Sequence, residues 1–150
     1  MNKTSSKFAA AFLAAFLCLS VHAETSLKLG GLSQHFSGGD YNSFHRAAII
    51  SHNNYFAGYF INSFYDDSFA VGKTYQIKRD SLFEFTVNVG AVYGYRRSSG
   101  CYKKQDERDN DPKILCPMIA PEVTAYKLPL KPSLALFGLD AVVLSFNVGL

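Results

Sequence analysis

The 150-residue sequence predicts an all-β chain closed as an eight-stranded antiparallel up-and-down transmembrane β-barrel. Three observations carry that expectation. After Ala23, apolar residues alternate with polar or small ones at a period of two, the strand signature. The alternating runs are long, near the roughly 9–11 residues with which a tilted strand crosses a bilayer. Tyrosines collect near the ends of the runs, where an interfacial girdle would sit. A soluble periplasmic β-sandwich would also alternate, with its apolar face turned toward a second sheet, but strand length and tyrosine placement favour the barrel.

The chain opens with Lys3 and Lys7, an apolar run from Phe8 to Leu19, and Val21-His22-Ala23 in small-x-small form. This reads as a secretory signal over residues 1–23, leaving a barrel domain at 24–150. The run is shorter than the roughly 20 apolar residues of a transmembrane helix. Cys18 belongs to the discarded segment, because Leu17 stands where lipoprotein processing needs a small residue.

Strands are expected at residues 26–36, 44–52, 54–62, 68–78, 82–95, 117–127, 132–138 and 140–150. The first two alternate least cleanly. In the fourth, Phe69, Val71, Tyr75 and Ile77 oppose Ala70, Gly72, Thr74 and Gln76, and Lys73 is a misfit on the apolar face that must snorkel to an interface. In the fifth, Phe83, Phe85, Val87, Val89, Ala91, Tyr93 and Tyr95 share one face, opposite Glu84, Thr86, Asn88, Gly90 and Gly94. The last sets Val142, Leu144, Phe146, Val148 and Leu150 against Ala141, Ser145, Asn147 and Gly149. This ending resembles the assembly signal of outer-membrane proteins, with Leu150 in place of the usual aromatic residue. Connections after strands two, four and six are tight, and the longest, 96–116, follows strand five, the alternation expected of periplasmic turns and outer loops.

Losing Lys3 and Lys7 takes the formal charge from +3 to +1, too weak and dispersed for nucleic-acid binding. Cys101 and Cys116 then form an even pair in an exported chain and read as one disulfide, which would contribute about 3 kcal/mol in the chain-entropy model. No histidine neighbours either cysteine, so a metal site is disfavoured, and no cofactor is implied. The charged loop between them reads as solvated surface, with Arg96, Arg97, Lys103 and Lys104 as alternative contacts to lipopolysaccharide phosphates.

The polar knot "NSFYDDS" follows strand three, and "SQHF" ends strand one, both on the outer side. Asn62, Ser63, Asp66, Asp67 and Ser68 are turn formers that satisfy local backbone groups. They also lie within reach of His35 and His45, so a histidine could serve as base to a hydroxyl, oriented by a carboxylate. His52 falls at the opposite end. Through the motifs "YFAGYFINSF" and "SQHF", the chain resembles the PagP family of lipid A palmitoyltransferases. The resemblance implies a transfer of an acyl chain from phospholipid to lipid A, with His35 as base, Ser63 as partner hydroxyl or oxyanion donor, and Asn62 or Asp67 orienting. Asn62 replaces the family's aspartate, which passes an acidic role to Asp66 or Asp67, and no amphipathic helix precedes strand one. The polar set Glu84, Thr86, Asn88 and Asn147 predicts a side-chain-filled lumen with Glu84 paired to a cation, Lys28 being the candidate. That favours the alternative, a non-catalytic structural or surface-interaction barrel resembling OmpX or the OmpA membrane domain. Either reading places a monomer among phospholipid and lipopolysaccharide in the outer membrane of a Gram-negative bacterium.

Overall fold

Period-two alternation resolves into eight strands in the computed structural model, which describes residues 25–96 and 112–150. They are β1 (Thr25–His35), β2 (Phe44–His52), β3 (Tyr55–Ile61), β4 (Asp67–Arg79), β5 (Glu84–Arg96), β6 (Lys113–Thr124), β7 (Pro132–Phe137) and β8 (Ala141–Gly149). Neighbours in sequence pair antiparallel, and β8 closes on β1 from Ser26↔Gly149 to His35↔Ala141. The chain is therefore a closed up-and-down barrel. At one end, the turn end, Asn53 and Asn54 take positive φ of 49° and 67° to join β2 to β3, as a two-residue hairpin requires. The loop end carries the connections after β1, β3, β5 and β7. The expected signal segment 1–23 lies outside the described residues, as does Cys101; its expected partner Cys116 is buried on the lumen face of β6.

Two boundaries and one face differ from expectation. β6 begins at Lys113 rather than at residue 117, because Lys113 to Cys116 continue the ladder opposite Arg96 to Val92. It ends at Thr124, where the chain turns toward β7. Tyr95 points into the lumen although alternation put it outside. A bulge between Tyr93 and Tyr95 shifts the phase, with Gly94 at φ +128°. A Cβ on Gly94 would collide with Ser68 and the Asp67 backbone, so glycine is required there on both counts.

The outer face is apolar: Phe69, Val71, Tyr75, Ile77, Phe85, Val89, Tyr93, Leu115, Ile119 and Phe146 are all exposed. Lys73 interrupts this belt near the turn end, its Nζ lying 5.1 Å from the ring centre of Tyr55 and 5.4 Å from that of Tyr75. Two tyrosine faces thus accommodate the misfit cation.

The lumen is divided along its axis. Toward the turn end, Lys28 Nζ donates to both Glu122 oxygens at 2.7 and 2.5 Å, Asn88 Nδ2 donates to Glu122 at 2.7 Å, and Thr74 donates to Asn88 at 2.6 Å. The expected partner of Lys28, Glu84, pairs instead with Arg79 at 2.8 Å, its register neighbour across β4 and β5. Above this floor the lining becomes apolar, with Ile49, Phe56, Phe60, Ala70, Met118 and Phe137. The fully polar lumen expected from Glu84, Thr86, Asn88 and Asn147 describes only the turn-end half.

Candidate functional site

The polar knot is organised by Asn62, which is fully buried. Its Oδ1 accepts from the backbone N–H of Phe64 at 2.8 Å and of Asp66 at 3.1 Å. Its Nδ2 donates to Ser68 Oγ at 3.0 Å and to the Gly94 carbonyl at 3.3 Å. Both amide protons and the carbonyl oxygen are engaged, so Asn62 ties the turn to β4 and β5. Asn42 Nδ2 donates to the carbonyls of Ile61 and Asn62 and draws the first outer loop onto the knot.

The two aspartates go to other partners. Asp66 receives Arg96 Nε at 2.9 Å and Nη2 at 3.1 Å, with Lys113 at 3.6 Å. The Arg96 guanidinium holds the Asp66 carboxyl below its ordinary range despite partial burial. The native state therefore binds this proton less readily than the unfolded chain. The ion pair stabilises above the ordinary carboxylate range, and its contribution is lost as pH falls through the lowered value. Asp67 accepts the Tyr59 hydroxyl at 2.5 Å on the outer face.

The carboxylate that meets His35 is Asp140, at 3.4 Å from His35 Nδ1, and not Asp67 or Asp66. Barrel closure sets Ala141 opposite His35, so the residue just before β8 reaches the end of β1 across 105 positions of chain. Asp140 also accepts the hydroxyl and backbone N–H of Ser37 at 3.0 and 3.1 Å. Ser37 chiefly, with His35 after it, holds the Asp140 carboxyl below its usual range. The closed barrel expected from the sequence already sets the "GLD" turn beside the first outer loop; which of its side chains meets His35 depends on how the two loops pack.

His45, at the start of β2, places Nδ1 2.7 Å from the Ile61 carbonyl. The Nε2 atoms of both His35 and His45 are buried without a hydrogen-bond partner. Stacked on His35 at 4.3 Å, Tyr41 begins an edge-to-face series through Phe64 at 5.8 Å to Tyr95 at 6.1 Å.

The lumen encloses a cavity of about 100 Å³, lined by its apolar residues with His45, Ser63 and Tyr95 toward the loop end and Thr74 and Asn88 toward the turn end. Its scale is that of the voids of about 150 Å³ that take up small hydrocarbons. The Lys28–Glu122 pair forms its floor. On one side the barrel wall is thinly joined: the register between β6 and β7 runs only from Glu122↔Ala135 to Thr124↔Ser133. β6 carries Pro117 and Pro121 facing Ala91 and Val87 of β5 in an unshifted ladder. Proline has no N–H to exchange, so these must be non-hydrogen-bonded pairs, whose backbone groups point to the β7 edge. At both positions that edge lacks a donor.

The structure thus brings Ser63, His45 and His35 to one end of the lumen and adds Asp140, while Asn62 builds the turn and Asp67 faces outward. Among the described residues no cluster of three or more metal-ligating side chains occurs. No family model matches the chain, and no curated protein matches it.

Proposed function

We propose that this barrel sits in the outer membrane and transfers an acyl chain between membrane lipids, from phospholipid to lipid A. The observation that carries this reading is the lumen cavity, whose wall above the Lys28–Glu122 floor is largely apolar and also holds Ser63 and His45. The exposed apolar belt supports a lipid surround. The donor-poor seam between β6 and β7 is the route by which a chain reaches the cavity from the bilayer.

His35 serves as base and Asp140 orients its ring through Nδ1, leaving Nε2 to take the proton of the acceptor hydroxyl. The acceptor oxygen bonds to the donor ester carbonyl carbon while Ser63 donates a hydrogen bond to the carbonyl oxygen as charge develops there. The ester bond to the donor lipid then breaks, and the departing oxygen takes the proton back from His35.

The test is lipid A mass from a Gram-negative host lacking its own palmitoyltransferase. The full chain should add the mass of one acyl group, and His35→Ala, Ser63→Ala and Asp140→Asn should each reduce the modified fraction, His35→Ala by about 100-fold or more. Heat-dependent gel mobility reports whether each variant folds. An unmodified lipid A profile from a folded wild-type barrel removes this reading. One observation favours a non-catalytic barrel instead: the Lys28–Glu122–Asn88 plug closes the lumen as a structural core would.

A further inference from the structure

His45 is 6% exposed, and its ring is held by one strong contact, Nδ1 to the Ile61 carbonyl at 2.7 Å. A carbonyl oxygen can only accept, so the proton of the neutral ring resides on Nδ1. Nε2 is then a lone-pair acceptor, buried and without a partner, on a residue that lines the cavity together with Ile49, Phe60 and Phe137. Buried acceptors are rarely left so. Space for the ring comes from Gly31, at φ +103°, where a Cβ would stand 3.0 Å from His45 Cβ.

We infer that His45 Nε2 is the anchoring acceptor for the hydroxyl of a lipid whose hydrocarbon chain occupies the cavity. The chemistry that completes this site is one hydrogen-bond donor attached to an alkyl chain. An alcohol supplies that and an alkane does not. A phosphate head group is a poor match, because the lone-pair form of His45 offers it no donor at Nε2. His35, with its own Nε2 unpartnered and its Nδ1 turned to Asp140, remains available for the proton transfer assigned to it above. This inference rests on the acyl-transfer reading only in taking the cavity for a chain-binding site.

The experiment uses the full mature barrel, labelled with ¹⁵N-histidine, in micelles of a detergent without hydroxyl groups, titrated with 1-dodecanol and separately with dodecane. The free ring should show its proton on Nδ1, and dodecanol, not dodecane, should shift the Nε2 resonance. Dodecanol should bind about tenfold tighter than dodecane, the worth of one net hydrogen bond. His45→Asn, whose amide can keep the bond to Ile61 while removing Nε2, should bring that ratio to about one. Equal responses to both compounds, a ring protonated on Nε2, or an alcohol preference that survives in His45→Asn each overturn the inference. An alcohol preference without lipid A acylation would keep this site and remove the enzyme; acylation unaffected by His45→Asn, with no alcohol preference, would do the reverse.

Discussion

Asn62 shows how one residue can look catalytic in sequence and be architectural in space. An amide beside a serine after an aromatic strand reads as half of an acyl-transfer pair, yet every polar atom of Asn62 is engaged with the turn, Ser68 or Gly94. Its neighbour Ser63 is the residue the turn presents to the cavity. Replacing Asn62 by Ala would leave two N–H groups and two acceptors without their partner in a buried place, at about 1–3 kcal/mol for each group that water cannot reach. We expect Asn62→Ala to lower stability by at least about 3 kcal/mol in urea titrations of the folded barrel. Asn62→Asp should also destabilise, because the two donors to Ser68 and Gly94 are lost. A full-stability Asn62→Asp with raised transfer activity would mean that this position is chemical after all.

At the scale of elements, the informative strand is β6. Its pairing to β5 is continuous along the strand, whereas its pairing to β7 stops at Glu122↔Ala135. Continuing that register would set Pro121 opposite Leu136, where a donor is needed and proline has none. Pro121→Val should extend the ladder and raise stability by about 1 kcal/mol, the net worth of one hydrogen bond. If the seam is the lateral route for an acyl chain, the same substitution should slow transfer, measured as the initial rate of lipid A modification. A stabilised barrel with an unchanged rate would place chain entry elsewhere.

For the molecule as a whole, the division of the lumen decides what the barrel can hold. Lys28 and Glu122 come from opposite parts of the sequence, 94 positions apart, and meet only because the sheet closes. Replacing Lys28 alone by Met strands a buried carboxylate and should cost about 3–5 kcal/mol. The double replacement Lys28→Met with Glu122→Met should recover most of that loss, since a packed apolar pair is often as stable as a buried ion pair. Urea midpoints of the three barrels check this, and a double variant as unstable as the single one would show that the floor depends on Asn88 and Thr74 as well.

By itself, the sequence determined the class of fold and nearly every strand. Period-two alternation is a local property, and tight connections such as the Asn53-Asn54 turn carry their own conformational preference. Seven of the eight strands lie within two residues of their expected bounds; β6 starts earlier because its first residues are fixed by pairing to β5 rather than by their own apolar pattern. His35 and Ser63 were legible as candidates because residue type and loop position suffice to nominate them. Asp140 beside His35, Glu122 beside Lys28 and the inward turn of Tyr95 were decided only by the tertiary structure. The first depends on how the two loops pack, the second on closing the sheet, which brings together residues from distant strands, and the third on a bulge that reverses the face of every residue beyond it.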